Sequence, residues 1–171
     1  MGREVTIQGK IFHLAGKETA LGKKAPDCTV VNSEMQDVKL SSLFGKVTLL
    51  IVVPSVDTAV CSIEAKRFNT ELALMSSAVQ PLLVSMDLPF AQKRWCGAEH
   101  VERLKMLSDF RHKELGEKYG LLIKELGILT RAIFLIDDEG VVRYVQIVDE
   151  VSNEPDYDRA LDEIDHLLLN V

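Results

Sequence analysis

Apolar and polar residues alternate along this chain with two different periods, one typical of β-strands and the other of α-helices. Residues 5–14 alternate around Gly9, which predicts a short β-hairpin. The continuous apolar run VTLLIVV, residues 47–53, predicts a strand that is buried on both faces of a sheet. Two further apolar runs, residues 82–86 and 132–136, predict two more strands.

A turn sequence and two helical repeats complete the pattern. DDEG separates residues 132–136 from the apolar segment VVRYVQIV, and it predicts an antiparallel pair of strands. Steps of four and three residues, the spacing of one helix face, relate a first group of apolar residues: Cys61, Ala65, Phe68, Leu72 and Met75. The same spacing relates a second group near the C-terminus: Tyr157, Leu161, Ile164 and Leu168. Pro155 precedes this second group at the predicted first position of a final helix.

This order of strands and helices predicts an α/β fold in which helices cover both faces of a central mixed β-sheet, with an N-terminal β-hairpin. A thioredoxin-like arrangement is the most familiar match. The 171 residues contain no internal repeat, low-complexity tract or linker, so we expect one domain over residues 1–171. A chain of this length buries about two-thirds of its unfolded surface. It should therefore fold without a metal ion or a structural disulfide.

Composition narrows the choice of partners and compartment. The formal net charge is −6 without a run of lysines or arginines, which argues against a nucleic-acid face and against an anionic membrane surface. The segment MGREVTIQGKIFHLAG contains no apolar stretch of signal-peptide length, so we expect a cytoplasmic protein. Three cysteines are an odd number for a disulfide framework, and a reducing cytosol keeps cysteines as thiols. Any disulfide of this protein should therefore be transient.

Cys61 stands where the pattern predicts the start of a helix. The preceding strand ends at Pro54, which has no N–H for a strand ladder, and Asp57 or Thr58 can cap the helix that follows. Unpaired N–H groups and the positive end of the helix dipole favour an anion in this first turn, and so favour a thiolate over a thiol. Cys61 is therefore a candidate reactive sulfur, although most buried cysteines are simply small apolar residues.

Two residues are candidate donors to the bond that Cys61 would attack. Thr58 lies three residues before Cys61, and its hydroxyl acts either at the reaction site or as an ordinary helix cap. Arg131 lies just before residues 132–136. If this strand runs antiparallel to residues 47–53, Arg131 meets Cys61 at the sheet edge where the earlier strand ends. The alternative is an exposed Arg131 that only caps its strand, because most arginines are exposed.

The residues around Cys61 resemble a known family. Pro54, Thr58 and Cys61 form P-x-x-x-T-x-x-C, which resembles the active-site pattern of peroxiredoxins. PSVDT resembles the version of this pattern in the bacterial thiol peroxidase group of atypical two-cysteine members. The resemblance continues in the same order through DLPFAQKRWCGAEH around Cys96, LSDFR, YGLLIKELGILTRAIFLID and NEPDYD. It therefore covers nearly the whole chain rather than one short motif.

This resemblance implies a thioredoxin-like fold and an enzyme that reduces hydrogen peroxide and organic hydroperoxides. Cys61 matches the peroxidatic cysteine, which becomes a sulfenic acid, and Cys96 matches the resolving cysteine, which then forms a disulfide with it. Thr58 and Arg131 match polar active-site residues that position the peroxide, while Pro54 shapes the loop and excludes water. The resemblance also implies thioredoxin as the reductant, a homodimer, and no metal, haem or flavin cofactor.

A disulfide between Cys61 and Cys96 requires movement of the chain. Its α-carbons must lie within about 7 Å of each other, and two cysteines on separate helices are seldom so close in a compact thiol form. We therefore expect the helix start at Cys61 or the segment around Cys96 to unfold partly in each catalytic cycle.

Some residues depart from the family pattern, and two other functions share the fold. Ala59 stands where many peroxiredoxins have proline, and Trp95 stands where phenylalanine is expected. Cys28 has no family role and is predicted to be a semi-buried apolar residue. A protein thiol-disulfide oxidoreductase usually needs a Cys-x-x-Cys motif, which is missing from this sequence. A redox sensor would need only slow oxidation of Cys61, so the rate of peroxide consumption separates it from an enzyme.

Overall fold

Strands and helices alternate along the chain in the computed structural model, which describes residues 3–75 and 77–169. The strands within these ranges are β1 (Arg3–Ile7), β2 (Lys10–Leu14), β3 (Thr29–Val31), β4 (Asp37–Lys39), β5 (Val47–Val52), β6 (Val79–Ser85), β7 (Lys105–Ser108), β8 (Leu122–Ile123), β9 (Ile128–Leu129), β10 (Ala132–Ile136) and β11 (Val142–Ile147). The helices are α1 (Ala59–Ala73), α2 (Pro89–Glu99), α3 (Glu114–Lys118) and α4 (Tyr157–Leu169), with a short 3-10 helix at Leu40–Leu43. Among these described helices, none has the length and apolar character that a membrane crossing needs.

The strands form two sheets. The larger sheet has the order β11-β10-β5-β6-β7-β3-β4. Within it β5, β6 and β7 are parallel, whereas β10 is antiparallel to both β5 and β11. The predicted mixed sheet and its closing hairpin are therefore confirmed. The smaller sheet has the order β1-β2-β8-β9, and it begins with the predicted N-terminal hairpin.

Successive residues of β5 point to opposite faces of the larger sheet, and both faces are covered. Leu49 and Ile51 belong to a first core cluster, which also contains side chains from α1 and α4. Leu50 and Val52 belong to a second core cluster, which contains Leu115 of α3. All six residues of β5 are buried, as the continuous apolar run predicts. The predicted three-layer α/β fold is therefore confirmed.

The ends of two predicted helices differ from the structure. α4 begins after Asp156, whose carboxylate accepts the backbone N–H of Arg159 at 3.1 Å as a helix cap does. Pro155 therefore lies before the cap, and its prediction as the first helical residue is wrong. α1 ends at Ala73, so Met75 lies beyond the helix, although it still packs against the first core cluster.

Glu150 ties the N-terminal hairpin to the segment that follows β11. Its carboxylate accepts the backbone N–H groups of Gln8 at 2.6 Å and Gly9 at 3.2 Å, which form the turn between β1 and β2. It also accepts the hydroxyl groups of Thr6 and Ser152. These hydrogen bonds, with that of Thr6 as the largest cause, lower the pKa of Glu150 from its ordinary 4.5 to about 2. The ionised carboxylate therefore stabilises the attachment of the hairpin.

Glu150→Gln should lower the stability of the protein at neutral pH, and this effect should disappear in acid. A carboxyl group whose pKa is lowered by folding stabilises the fold above its unfolded-state pKa, and it loses this effect as the pH falls through its folded-state pKa. The contribution of Glu150 should therefore be complete above pH 4.5 and vanish towards pH 2. Urea midpoints of the two proteins should differ at pH 7 and converge on acidification. Equal midpoints at pH 7 would contradict this account.

Candidate active site

Cys61 lies in the first turn of α1, a few residues after β5. Thr58 caps this helix, and its hydroxyl oxygen accepts the backbone N–H of Cys61 at 3.2 Å. The same hydroxyl donates to the carbonyl of Ser55 at 3.4 Å. Cys61 is fully buried, whereas Thr58 and Ala59, within one helical turn before it, are exposed. The structure therefore has the predicted helix start, and Thr58 rather than Asp57 provides the cap.

Arg131 reaches Cys61 from the neighbouring strand. Ala132, the first residue of β10, pairs with Val52, the last residue of the antiparallel β5. Arg131 therefore lies at the same end of the sheet as Pro54, which is buried just beyond β5. Its Nη2 atom lies 3.3 Å from the Sγ atom of Cys61. Because Arg131 is only 2% exposed, the alternative of an exposed strand cap is wrong.

Three acceptors, two on α1 and one in the segment after β11, hold the Arg131 guanidinium. Nη1 donates to Oε2 of Glu64 at 2.6 Å, and Nε donates to the carbonyl of Val151 at 2.8 Å. Nη2 donates to the sulfur of Cys61. Burial alone would lower the pKa of Arg131, but Glu64 and Cys61 together raise that pKa above its ordinary value. A planar group held at three edges is therefore a fixed cation beside the sulfur.

Glu64 is a site residue that the apolar pattern did not identify. It lies three residues after Cys61, on the buried face of α1, and its side chain is 0% exposed. Burial raises the pKa of Glu64, although the neighbouring Arg131 acts in the opposite direction. Its Oε1 atom has no hydrogen-bond partner among the described residues. Because a buried carboxylate without a cation is costly, Glu64 and Arg131 each stabilise the buried position of the other.

One signal in the sequence could have identified Glu64. Residues three apart on a helix lie on one face, so Glu64 falls inside the apolar stripe that begins with Cys61. A charged residue in such a stripe needs a buried partner of opposite charge. Arg131 is that partner.

Cys96 lies on α2 and is a free thiol in this structure. Cys96 and the adjacent Trp95 are half-buried, and both pack against the core cluster that contains Cys61. Burial raises the pKa of the Cys96 thiol. The structure therefore places the two cysteines of the predicted disulfide at one core cluster, with no bond between them.

Cys28 lies on the other face of the larger sheet, in the second core cluster. It is fully buried, and burial raises the pKa of its thiol to about 12. A buried thiol that ionises so weakly is a poor nucleophile. Cys28 thus packs as an apolar residue, as predicted, but it is fully rather than partly buried.

The arrangement around Cys61 is suited to attack by sulfur on a small polarised bond. The Arg131 guanidinium donates to the sulfur, and Cys61 lies in the first turn of α1, at the positive end of the helix dipole. Charge that grows on a leaving atom near Cys61 would meet a cation that is already in place, so little reorganisation is needed. The fold and this site define a thiol-based redox protein with a thioredoxin-like fold.

Comparison with known proteins assigns this class to a family. Residues 20–161 match the Redoxin family. The thiol peroxidase of Oceanobacillus iheyensis is 45% identical over 160 residues, which cover 94% of this chain and 97% of that protein. The crystal structure of a peroxiredoxin-like protein from Aquifex aeolicus has a TM-score of 0.90 and 42% identity, and the match covers 98% of each chain. A thiol peroxidase structure from Chromobacterium violaceum has a TM-score of 0.87, covers 98% of each chain at 20% identity, and supports the fold.

The chain belongs to the thiol peroxidase group of the peroxiredoxin family. The resemblance that the sequence motifs indicated is therefore confirmed, and so is the thioredoxin-like fold. The two other functions, a redox sensor and a protein thiol-disulfide oxidoreductase, are not favoured by these relatives.

Proposed function

We propose that Cys61 is the sulfur with which this thiol-dependent peroxidase reduces hydrogen peroxide and organic hydroperoxides. The observation that carries this proposal is the 3.3 Å contact between Nη2 of Arg131 and Sγ of Cys61. Fast cleavage of an O–O bond by sulfur is favoured by a fixed positive group beside the nucleophile. Among the described residues, neither Cys28 nor Cys96 has an arginine that donates to its sulfur.

In the first step, the Cys61 thiolate attacks one oxygen of the hydroperoxide. An S–O bond forms while the O–O bond breaks, and the departing oxygen takes the electron pair and a proton to become water or an alcohol. Cys61 becomes a sulfenic acid. Arg131 and the hydroxyl of Thr58 position the peroxide and stabilise the charge on the departing oxygen. Pro54 shapes the loop before α1 and keeps water out.

In the second step, the sulfur of Cys96 attacks the sulfenic sulfur of Cys61. An S–S bond replaces the S–O bond, and the oxygen leaves as water. The α-carbons of a disulfide lie within about 7 Å of each other, and Cys61 and Cys96 belong to two separate, fully formed helices in the thiol structure. We propose that the start of α1 or part of α2 opens before the disulfide forms.

A dithiol reductant then restores the enzyme. We propose that this reductant is thioredoxin, which opens the Cys61–Cys96 disulfide by thiol exchange. Such exchange takes place in a reducing compartment, so we place the enzyme in the cytoplasm. On the family resemblance we also propose a homodimer.

Cys96→Ser should consume about one equivalent of hydroperoxide and then stop when thioredoxin is the only reductant, because the sulfenic acid of Cys61 still forms but has no partner thiol. The remaining peroxide should be measured after mixing with a known amount of protein, and NADPH oxidation should be followed with thioredoxin and its reductase. Cys28→Ser is the matched control, and it should turn over like the wild type. Sustained turnover by Cys96→Ser would show that another thiol resolves Cys61.

A further inference from the structure

Asp87 lies between β6 and α2 and contacts the loop that leads into α1, residues 54–58, here called the entry loop. Its Oδ1 atom accepts the hydroxyl of Ser55 at 2.7 Å. Its Oδ2 atom accepts the backbone N–H of Val56 at 2.9 Å. The next residue but one is Thr58, which caps α1 beside Cys61. One carboxylate therefore holds the middle of the entry loop.

The same carboxylate is connected through Ser85 to the helix that carries Cys96. The hydroxyl of Ser85 donates to Oδ2 of Asp87 at 2.7 Å, and it accepts the side-chain amide of Gln92 at 3.1 Å. That amide also donates to the carbonyl of Leu107 at 2.7 Å. Gln92 is fully buried and lies one helical turn before Cys96 on α2. A continuous chain of hydrogen bonds thus runs from the entry loop through Asp87 to α2.

The donors to the Asp87 side chain are two hydroxyl groups and one backbone N–H. Hydrogen bonds to an ionised carboxylate are about twice as strong as those between neutral groups. The bonds from Ser55 and Val56 can be made only while the entry loop keeps its present position, and the Ser85 hydroxyl that donates to Asp87 also accepts Gln92 of α2. Asp87 therefore stabilises the position of the entry loop directly and that of α2 through Ser85.

We propose that Asp87 is a positioning residue. Its hydrogen bonds hold the entry loop in place, and through Ser85 connect it to α2, while Cys61 reacts with hydroperoxide, and these bonds break when Cys61 and Cys96 join. The proposal rests on the proposed function, in which both cysteines take part. Disulfide formation replaces the S–O bond of the Cys61 sulfenic acid with an S–S bond and releases water. In this proposal the entry loop and α2 move apart as the two sulfurs meet, and the hydrogen bonds that connect them through Asp87 and Ser85 oppose that movement.

Removal of the Asp87 carboxylate should change the rates of the two chemical steps in opposite directions. The reaction with hydroperoxide needs Thr58 and Arg131 in place around Cys61, so a looser entry loop should slow it. Disulfide formation needs the loop and α2 to separate, so a weaker attachment should make it faster. A residue that merely supported the fold would not change the two rates in opposite directions.

Asp87→Ala should be compared with the wild type by rapid mixing of the thiol form with excess hydrogen peroxide. Trp95, which is adjacent to Cys96 and is the single tryptophan of the chain, should report the two phases by its fluorescence. Mass spectra of quenched samples assign the thiol, sulfenic, disulfide and sulfinic forms. The peroxide-dependent phase should slow severalfold, whereas the first-order disulfide phase should become about tenfold faster, the effect of losing one or two charge-assisted hydrogen bonds.

Three further variants make the test specific. Ser55→Ala removes one donor to Asp87 without touching α2, and it should shift both rates in the same directions by a smaller factor. If Asp87→Ala fails to fold, Ser55→Ala provides the test instead. Asp87→Asn keeps the shape and one acceptor, so its rates should fall between those of the wild type and Asp87→Ala. Asp138→Ala removes an exposed carboxylate in the β10–β11 turn, and it should leave both rates unchanged.

The outcomes separate this proposal from the proposed function. If the wild type reacts as expected but the disulfide phase of Asp87→Ala and Ser55→Ala is unchanged or slower, the proposed role of Asp87 is overturned. The proposed function is then unaffected. Equal slowing of both phases would also overturn that role and leave Asp87 as a structural residue. A wild type that forms neither a sulfenic acid nor the Cys61–Cys96 disulfide would contradict the proposed function itself.

Discussion

Cys61→Ser should reduce hydroperoxide turnover to the uncatalysed background. A serine hydroxyl stays protonated at neutral pH and cannot form a sulfenic acid, so the cycle has no first step. Cys28 cannot replace Cys61, because it is buried in the other core cluster and burial raises its pKa to about 12. Cys96 cannot replace it either, because burial also raises its pKa and Arg131 donates to the sulfur of Cys61 instead. The measurement is peroxide-dependent NADPH oxidation coupled through thioredoxin and its reductase.

This substitution changes only one atom at the centre of a packed site. Serine is slightly smaller than cysteine, so the fold should be retained, and the thermal unfolding of Cys61→Ser should be compared with that of the wild type. Cys28→Ser makes the same change in the second core cluster and should keep full activity. Activity of Cys61→Ser near that of the wild type would remove Cys61 from the reaction.

Arg131→Ala should slow the reaction of Cys61 with hydroperoxide by about 10²- to 10³-fold, as removal of a preorganised donor at developing charge typically does. It should also lower the free energy of unfolding by about 3–5 kcal/mol, because Glu64 would stay buried without its cation. Arg131→Lys keeps a positive charge but not the planar group that meets Glu64, Val151 and Cys61 together. It should therefore recover stability more than rate.

Two measurements separate the catalytic effect of Arg131 from its effect on the fold. The second-order rate constant for hydrogen peroxide should be measured by rapid mixing, and that for iodoacetamide by labelling of Cys61. Alkylation breaks no O–O bond, so it should slow much less than the peroxide reaction. In the double variant Arg131→Met with Glu64→Gln both buried charges are gone, and stability should return while the peroxide rate stays low. Equal losses of both rates in Arg131→Ala would reduce Arg131 to a structural residue.

The approach of Arg131 to Cys61 could be predicted from the sequence because it depends on two strands with a strong pattern. β5 and β10 are continuous apolar runs, and their antiparallel pairing puts the start of one beside the end of the other. The start of α1 is equally clear, since a capping residue and an apolar stripe mark it. These features depend on residues that are near each other in the chain or in the sheet.

The other contacts of Arg131 could not be predicted in the same way. The carbonyl of Val151 accepts from Arg131 because the segment after β11 is held by Thr6 of the N-terminal hairpin, whose carbonyl accepts the N–H of Val151 at 2.8 Å. No local pattern records a contact between such distant segments. Glu64 was missed because a search for apolar residues passes over a charged residue that becomes buried only with its partner.

Several of the strands that the pattern missed or shortened are very short or contain a residue that strands usually avoid. β8 and β9 have two residues each, too few to show an alternation. β6 begins at Val79 rather than at residue 82, because Pro81 interrupts the apolar run without ending the strand. Asp is a common residue type in turns, so Asp87 does not stand out in the sequence. Its hydrogen bonds to the entry loop, and through Ser85 to α2, are seen only in the folded structure.

Trapping of the sulfenic acid tests most directly whether Cys61 takes the oxygen of the peroxide. Cys96→Ser should be treated with about one equivalent of hydrogen peroxide in the presence of dimedone, which labels sulfenic acids, and its peptides should be analysed by mass spectrometry. The expected result is one label on the peptide that contains Cys61 and none on the peptide that contains Cys28. A label on Cys28, or peroxide consumed with Cys61 left as an unmodified thiol, would contradict the assignment.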